Sequence, residues 1–548
     1  MRLDLFFKLM LIFSSLIIFV RLVDVALIRG EYFSVLASEN KVRRIPIPAQ
    51  RGIIYDRNGV YLAQNKEEVR IVRFEKGRAA RFVETEGGVE ISKNDVIVHY
   101  PSRDYPGAST SAHLAGFVGE ASKDEVGQKG CSRSIFNLGD SIGRLGVELS
   151  YDCELRGRNG EELVEVDTKG GKVRELGRIE PIKGQDLNLA IDIRLQERAT
   201  RALGGRPGSV VALDPKTGEV LTLVSSPSFD PKEINKNYAT LAKDKSLPLF
   251  NRAIAGSYPP GSTFKIVSSA AALEEGTIDE NFSFTDPGVI KLGEQSFANW
   301  LFLKRGGTEG EVNIVKAITR STDTFFYKIG EMVGIEKIAK WAGKFGLGKK
   351  TGIDLFGETA GVVPTPEWKE RVRGERWFLG NTYHVSIGQG DVGASPLQIA
   401  VATSAIANNG IICKPTVKKI DRERWIMDSC KEIGLSEKTL DLIKQGMVGA
   451  CSPGGTAWPL FNFSVKYEHS PESTPAKNIQ LACKTGTAET GKKDENGKIK
   501  THAWLTGYAP VDDPEIVVTV LVEEGGEGSD VAAPIVKEIL EEWFSNKQ

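Results

Sequence analysis

The first apolar segment of the chain runs from Leu5 to Ile28, and three charged residues, Lys8, Arg21 and Asp24, interrupt it. As a helix, these 24 residues would extend about 36 Å, enough to cross a bilayer core of about 30 Å. We therefore predict a membrane-spanning helix that stays attached, with residues 1–28 forming a short cytoplasmic tip and the anchor. The alternative interpretation is a signal peptide that is cleaved.

The charges around this segment do not agree on its orientation. Arg2 precedes it, whereas Arg29, Lys41, Arg43 and Arg44 follow it. The positive-inside rule would therefore place the following residues in the cytoplasm, but large domains are translocated largely regardless of such charge. We expect a single-pass protein of the cytoplasmic (inner) membrane whose larger part is extracytoplasmic.

Short apolar runs alternate with glycine and charged residues between residues 29 and 183. Asp56 to Gly59 separates two short runs of β-forming residues and is typical of a turn. This pattern predicts an irregular, β-rich domain over 29–183. We place the boundary near Lys183-Gly184, just before the alternating segment 187–195, so that residues 184–548 form a second domain.

The second domain combines strand patterns at both of its ends with helix patterns between them. Strands are predicted over 210–213, 220–224, 479–485, 503–508 and 516–523, and helices over 262–275, 395–410 and 532–544. This order predicts an α+β fold in which helices flank an antiparallel sheet.

Composition and charge exclude several classes of function. The 548 residues include 71 Lys and Arg against 72 Asp and Glu, a net charge of −1, so no excess of cations indicates nucleic-acid binding. The cysteines and histidines show no metal-ligand spacing, and we expect neither a metal nor a cofactor. An even number of cysteines permits disulfides without fixing their pairing. The six cysteines are Cys131, Cys153, Cys413, Cys430, Cys451 and Cys483.

Ser262 and Lys265 lie three residues apart where a helix is predicted to begin. Residues at this spacing share one helix face, with Cβ atoms about 5–6 Å apart. A lysine whose pKa is lowered by burial or by a neighbouring cation can take the serine proton and create a nucleophile. The preceding Pro259-Pro260-Gly261 fixes an extended approach and permits close backbone contact. The alternative is an ordinary serine N-cap beside an exposed lysine.

Lys-Thr-Gly begins at Lys216, Lys350 and Lys484, so the tripeptide alone carries little information. The first copy lies in a predicted hairpin turn and the second in a loop. The third follows an apolar strand, and the hydroxyls of Thr485 and Thr487 fall on one side of that strand. A lysine with two hydroxyls along a strand edge suits a carboxylate or an acyl oxyanion.

Ser321-Thr322-Asp323 lies between these two motifs, after one predicted helix and before another. A serine hydroxyl on such a loop can relay a proton between two lysines. The alternative is a second helix N-cap, with Asp323 capping the helix that follows. In chain order, the three motifs fall on a helix start, a loop and a strand.

Together the three motifs are the signature of the serine acyl-transferases of the penicillin-binding and β-lactamase superfamily. Further segments resemble class B penicillin-binding proteins of the elongation type. Residues 51–63, 105–120 and 146–160 resemble their pedestal domain, and residues 251–265 and 386–400 resemble their transpeptidase domain. The resemblance implies a peptidoglycan D,D-transpeptidase with an anchor helix, a β-rich pedestal and a penicillin-binding domain.

The resemblance also implies roles for the matching residues. Ser262 is similar to the nucleophile that attacks the penultimate D-alanine of a stem peptide, Lys265 to its general base, and Ser321 to a proton shuttle. Lys484 is similar to the lysine that tunes the base, and the N–H groups of Ser262 and Thr487 would form the oxyanion hole. Substrate-binding positions are implied at Asp323, Thr485, Gly486 and Thr487. Many relatives have asparagine at the position of Asp323, and elongation-type members often have aspartate.

The partners implied by the resemblance are stem peptides ending in D-Ala-D-Ala, β-lactam antibiotics, the membrane, a SEDS-family glycan polymerase and other proteins of the elongation complex. Arg21 and Asp24 are candidate contacts for a partner within the membrane. The competing interpretations are a septal transpeptidase, a D,D-carboxypeptidase or β-lactamase, and a non-catalytic scaffold or β-lactam sensor.

Overall fold

A computed structural model describes the greater part of the chain. The described residues are 2–32, 42–73, 81–84, 96–126, 128, 136, 140–166, 172–466 and 475–546. Cys131 lies outside them, whereas every residue of the three serine and lysine motifs lies inside them.

The chain begins with a helix that exposes its apolar side chains. This helix, α1 (Arg2–Val23), continues as a π-helical turn over Asp24–Ile28. A guanidinium nitrogen of Arg21 lies 2.9 Å from the carboxylate of Asp24 one turn later. Within the described part of the chain, Leu5–Ile28 is the one segment long and apolar enough to cross a membrane. The structure is therefore consistent with a single-pass anchor.

Small sheets follow the helix, as the short apolar runs predict, and their strands pair antiparallel except for the parallel pair of β10 and β2. Their strands are β1 (Val42–Ile47), β2 (Ile54–Tyr55), β3 (Tyr61–Arg73), β4 (Arg81–Glu84), β5 (Val96–Asp104), β6 (Val118–Glu120), β7 (Ser141–Gly143), β8 (Gly160–Val166), β9 (Lys172–Ile179) and β10 (Leu187–Asn188). The strand orders are β1-β8-β9, β6-β7, and β10-β2-β3-β4 with β5 also on β3. Because β10 pairs with β2, contact with this region continues past residue 184, and the predicted boundary stays a prediction.

A buried cluster of charges joins distant parts of this β-rich region. Glu148, on a short helix, is fully buried and accepts hydrogen bonds from Arg103 on β5 and from Arg51 just before β2. Arg51 also lies 2.7 Å from the carboxylate of Asp152. Burial alone would raise the pKa of Glu148, but the charges of Arg103 and Arg51 hold it below its ordinary value. The three segments are therefore tied together by ion pairs that water does not reach.

The second half of the chain contains the predicted antiparallel sheet, in the order β12-β11-β23-β22-β21. The strands of this half are β11 (Gly208–Leu213), β12 (Val220–Ser226), β13 (Phe284–Thr285), β14 (Val289–Leu292), β15 (Gln295–Ala298), β16 (Glu311–Val312), β17 (Ile411–Cys413), β18 (Cys430–Glu432), β19 (Ser464–Val465), β20 (Lys477–Asn478), β21 (Ala482–Lys493), β22 (Ile499–Ala509) and β23 (Ile516–Val522). Every residue of β11, β12 and β23 is buried. β21 is an edge strand, so one row of its backbone groups is left outside the sheet ladder.

Helices lie in both regions of the chain, and some of them cover both faces of this sheet. After α1 they are α2 (Ala112–Ala115), α3 (Gly146–Ser150), α4 (Asp152–Leu155), α5 (Ile193–Leu203), α6 (Ile234–Leu241), α7 (Lys265–Glu274), α8 (Trp300–Arg305), α9 (Ile314–Arg320), α10 (Asp323–Val333), α11 (Ile335–Lys344), α12 (Pro366–Arg373), α13 (Leu379–Ser386), α14 (Pro396–Ala407), α15 (Arg422–Ser429), α16 (Glu437–Ala450) and α17 (Ala533–Ser545). α5 and α17 pack on one face, and α14, buried along its whole length, packs on the other. In a sequence, strands that are covered on both faces appear as continuous apolar runs.

Some element boundaries differ from the predicted ones, because backbone hydrogen bonds set them. The predicted strand 479–485 is β21, whose polar second half continues the antiparallel ladder with β22. The predicted helix 262–275 begins as a 3₁₀ turn over Gly261–Phe264 and becomes α-helical at Lys265. The predicted helix 395–410 is α14, and a capping box of Ser395 and Gln398 fixes its start.

We predict that Glu148→Ala lowers the free energy of unfolding by about 3–5 kcal/mol, because the buried guanidinium of Arg103 loses its carboxylate partner and that of Arg51 is left with Asp152. Denaturant unfolding followed by circular dichroism measures this change. Glu161→Ala is the control, since Glu161 pairs at 3.0 Å with Arg44, whose side chain is 71% exposed, and it should cost about 0–1 kcal/mol. Equal effects of the two variants would contradict the importance of the buried cluster.

Candidate active site

Ser262 lies on the 3₁₀ turn that precedes α7, in direct contact with the edge strand β21. The turn depends on Gly261, whose φ of +54° is in the left-handed region. A Cβ atom at this residue would lie 2.9 Å from the carbonyl oxygen of Thr487, and the N–H of Gly261 donates to the carbonyl of Gly388 at 2.9 Å. Glycine is required here because the turn approaches the strand too closely for a side chain.

Lys265 is the first residue of α7, and its side chain is fully buried. Its Nζ lies 2.6 Å from Oδ1 of Asp323, 2.9 Å from the carbonyl oxygen of Ser321 and 3.1 Å from Oγ of Ser321. Within the described residues, no hydrogen bond joins Lys265 to the Ser262 hydroxyl, although the spacing predicts that the amine can reach it. The amine is directed instead to Ser321 and Asp323, which follow it by 56 and 58 residues in the sequence.

Ser321 connects the two lysines. It caps the C-terminus of α9 with a φ of +57°, a conformation uncommon for residues other than glycine and one that recurs at functional sites. Its Oγ lies 3.1 Å from Nζ of Lys265 and 2.8 Å from Nζ of Lys484. A hydroxyl that accepts from two amines has used both lone pairs, so its hydrogen remains to be donated elsewhere. The loop position predicted for this serine therefore has the geometry of a relay.

Asp323 begins α10 and is fixed by residues that the motifs do not indicate. Its Oδ2 accepts a hydrogen bond from the N–H of Trp300 at 3.0 Å, while its own N–H donates to the side chain of Asn299 at 3.3 Å. Asn299 is fully buried and donates to Asp286 at 2.8 Å. Since these residues form no recognisable sequence pattern, sequence analysis missed them.

Lys484 enters the site from β21, where its fully buried Nζ donates to Ser321 and to the carbonyl of Thr485 at 3.2 Å. Burial and then the charge of Lys265 hold the pKa of Lys484 well below its ordinary value, with Asp323 opposing the change. Burial also lowers the pKa of Lys265, again against the effect of Asp323. Both amines therefore lose their protons more readily than exposed lysines do.

The residues after Lys484 continue along the strand edge. The hydroxyl of Thr485 lies 2.8 Å from that of Thr456, and the hydroxyl of Thr487 donates to Glu527 at 3.3 Å. A Cβ at Gly486 would lie 3.1 Å from the carbonyl oxygen of Pro260, so this glycine lets the strand pack on the serine turn.

Two backbone N–H groups lie where the Ser262 turn meets β21. The carbonyl of Thr487 accepts a hydrogen bond from the Gln389 side chain at 3.3 Å and so points away from the sheet. In an antiparallel ladder the N–H and C=O groups of one residue point to the same side. The N–H of Thr487 therefore also faces the turn, and the N–H of Ser262 lies in a first helical turn, where it has no intrahelical partner.

The structure thus brings all eight predicted site residues to one place and leaves the other two copies of Lys-Thr-Gly elsewhere. Lys216 lies in the hairpin turn between β11 and β12 and pairs with Asp513. Lys350 lies in a loop between helices. Cys483, next to Lys484, forms a disulfide with Cys451 at the end of α16, and Cys413 pairs with Cys430. The pairing that sequence left open is therefore decided for four of the cysteines.

Residues 208–541 match the family model of the penicillin binding protein transpeptidase domain, and residues 88–189 match that of the penicillin-binding protein dimerisation domain. The chain belongs to the penicillin-binding protein transpeptidase family. The first match contains the sheet and all three serine and lysine motifs of this transpeptidase.

Curated relatives of this transpeptidase agree over almost its whole length. Peptidoglycan D,D-transpeptidase MrdA of Acinetobacter baumannii is 33% identical to it over 94% of this chain and 83% of the relative. MrdA of Escherichia coli K12 is 31% identical over 96% of this chain and 91% of the relative. These findings confirm the class predicted from the motifs, a class B penicillin-binding protein of the elongation type with peptidoglycan D,D-transpeptidase activity.

Solved structures give the same result. Pseudomonas aeruginosa PBP2 in complex with WCK 5153 superposes on this transpeptidase with a TM-score of 0.71 at 33% identity, covering 92% of this chain and 97% of that one. The PBP2 of Helicobacter pylori in complex with MreC gives a TM-score of 0.75 at 26% identity, covering 92% of this chain and 98% of that one. The predicted architecture of anchor helix, pedestal and transpeptidase domain is confirmed.

We predict that Asp323→Asn shifts the acid side of the pH profile of acyl-enzyme formation to lower pH. The carboxylate raises the pKa of both lysines, so its removal leaves more neutral amine at a given pH, while asparagine keeps a hydrogen-bond acceptor. Rates measured across pH with a fluorescent penicillin test this. Glu331→Gln, which removes an equal charge from the same helix beside Lys328, should not move the profile. A shift to higher pH would contradict the electrostatic role of Asp323.

We predict that the two disulfides differ in their effect on activity. Replacing either pair by serine opens a loop of 32 or 17 residues and should cost about 3 kcal/mol of stability. Only loss of Cys451–Cys483, whose second cysteine precedes Lys484, should also slow acyl-enzyme formation. Thermal unfolding and penicillin labelling measure the two effects separately. Equal labelling rates in both variants would show that the disulfide does not position the lysine.

Proposed function

We propose that this protein is a membrane-anchored peptidoglycan D,D-transpeptidase that cross-links stem peptides through an acyl-enzyme on Ser262 during cell-wall elongation. The observation that carries the assignment is the convergence of two buried lysines, Lys265 and Lys484, on the hydroxyl of Ser321 beside the Ser262 turn. Such a network can accept and return a proton without a histidine.

In the first half-reaction, Ser262 Oγ attacks the carbonyl carbon of the penultimate D-alanine while Lys265, as a neutral amine, accepts its proton. The oxyanion is held by the N–H groups of Ser262 and Thr487, and a donor of this kind contributes about 10²–10³ in rate. Ser321 then delivers a proton to the leaving nitrogen, and Lys484 replenishes it. Terminal D-alanine departs, and its carboxylate is released from Thr485 and Thr487.

In the second half-reaction, the amine of a neighbouring stem peptide attacks the ester of Ser262. A C–N bond forms, the C–O bond to Ser262 breaks, and the proton of the amine returns to Ser262 Oγ through Ser321 and the lysines. β-Lactams carry a strained amide that the same serine would open, which leaves a stable acyl-enzyme.

The partners follow from the anchor and from the solved relatives. The described N-terminal helix is long and apolar enough to anchor the chain in a membrane, which supports our assignment of the active domain to the outer side of the cytoplasmic membrane. A structure of a peptidoglycan synthase complex that coordinates polymerization and crosslinking covers 100% of this chain and 98% of that one, with a TM-score of 0.75 at 29% identity. We therefore propose assembly with a SEDS-family glycan polymerase and with other proteins of an elongation complex.

We predict that Ser262→Ala abolishes covalent uptake of penicillin, because the proposed attack comes from Ser262 Oγ, whereas the Ser321 hydroxyl serves as a proton relay. Intact-protein mass spectrometry followed by peptide mapping measures the adduct. Ser269→Ala is the matched control, since Ser269 lies on α7, directly after the Ser262 turn, and its hydroxyl donates to the Lys265 carbonyl at 2.7 Å. It should be labelled normally.

Labelling of Ser262→Ala at wild-type level would overturn the assignment of the nucleophile. Circular dichroism shows whether both variants are folded. Product analysis with an amine acceptor separates a transpeptidase from a carboxypeptidase or β-lactamase, which would transfer the acyl group to water. A scaffold or sensor would form the adduct without turning over a peptide substrate.

A further inference from the structure

An ion pair crosses the space in front of β21, between α8 and the loop after β23, which we call the cleft. Lys304, at the end of α8, places Nζ 2.9 Å from Oε1 of Glu527, which lies on the loop after β23. The other oxygen of Glu527 accepts the hydroxyl of Thr487 at 3.3 Å. The two side chains are 47% and 36% exposed, so each remains accessible from solvent.

The loop that carries Glu527 is held firmly against the sheet. A Cβ at Gly528 would lie 2.1 Å from the carbonyl oxygen of Trp504 and 2.5 Å from that of Gly486, so only glycine allows this contact. The N–H of Gly526 donates a hydrogen bond to the carbonyl of Thr501 at 3.0 Å, and the carbonyl of Gly526 accepts one from the Thr501 hydroxyl at 3.0 Å. The carboxylate of Glu527 is therefore fixed beside β21. It contacts the hydroxyl of Thr487, the residue whose N–H is expected in the oxyanion hole.

This position coincides with the route of the second substrate. An acceptor amine that attacks the acyl-enzyme follows in reverse the path by which the D-alanine nitrogen leaves, because both steps exchange an amine at the same carbonyl carbon. The leaving group is expected at Thr485 and Thr487, so the acceptor nitrogen arrives on the side where Glu527 stands. Primary amines are protonated at neutral pH and favour a carboxylate as partner.

We propose that Glu527 binds the cationic amine of the acceptor stem peptide, and that Lys304 occupies this subsite when the acceptor is absent. Lys304 presents the same chemical group, a primary ammonium on an alkyl chain, at hydrogen-bond distance. Exposed ion pairs are weak, so an acceptor can displace it. This subsite rests on the proposed transpeptidase function and deepens it by naming the group that the acceptor must carry.

The chemistry balances without a further reagent. The bound ammonium releases one proton to solvent and becomes a neutral amine as it leaves Glu527 for the ester carbon. It then forms the C–N bond, and its second proton passes to Ser262 Oγ as the C–O bond breaks. Glu527 acts by binding and aligning, and no proton needs to remain on it.

The test is the partition of the acyl-enzyme between amine and water. The full-length protein in detergent is acylated with a synthetic pentapeptide ending in D-Ala-D-Ala. It is then offered either D-alaninamide, an ammonium without a carboxylate, or hydroxylamine, which is uncharged at neutral pH. Acylation is measured separately, so that loss of acylation in the wild type overturns the proposed function and this inference together, whereas a change confined to partition concerns Glu527 alone.

We expect Glu527→Gln to lower transfer to D-alaninamide about tenfold relative to hydrolysis, as for a lost hydrogen bond to a charged group, with the partition between hydroxylamine and water unchanged. Lys304→Met should raise transfer to D-alaninamide, because the competing ammonium is gone. Glu524→Gln is the matched control, since Glu524 lies on the same loop and pairs with Lys492 and Lys500. It should behave as the wild type.

Opposite effects of the two variants on transfer distinguish an acceptor subsite from an ion pair that only stabilises the shape of the cleft. If the ion pair served only to hold the cleft shape, both Glu527→Gln and Lys304→Met would change transfer in the same direction and for both acceptors, and the inference would be wrong. Unchanged transfer to D-alaninamide in Glu527→Gln would also overturn it.

Discussion

The burial of two lysine amines around one serine hydroxyl is the constraint on which this active site depends. A buried ammonium is costly unless it is paired, and among the residues that the structure describes the two amines share a single carboxylate, that of Asp323. The arrangement therefore favours a state in which at least one lysine is neutral. A neutral, buried amine next to a serine can act as a general base, so the burial that is costly for the charged amines also favours the protonation state that the proposed chemistry needs.

That constraint can be met only if three remote segments approach each other very closely. Gly261 and Gly486 remove the side chains that would separate the serine turn from the edge strand. β21 can offer its backbone to the cleft because it is the last strand of the sheet. Behind Asp323, the buried side chains of Asn299 and Asp286 fix the start of α10. Rigid packing on both faces of the sheet supports this geometry.

The β-rich region has a different physical basis. Its sheets are small and its core is joined by the ion pairs of Glu148 with Arg51 and Arg103. Some of its strands are open to solvent, and all residues of β9 are at least partly exposed. This construction suits a spacer that holds the active domain away from a membrane anchor, whereas the chemistry is confined to the sheet and helices that follow.

The sequence alone determined the element types, the anchor helix, the antiparallel sheet and the motif residues, because apolar periodicity and glycine or proline positions act locally. It also indicated that Ser262, Ser321 and Lys484 belong to one site. Tertiary structure alone decided that Lys265 bonds to Asp323 rather than to Ser262, that Asn299 and Glu527 join the site, and which cysteines pair. These contacts join residues far apart in the chain, and their distances depend on how helices and strands pack, which no local pattern encodes.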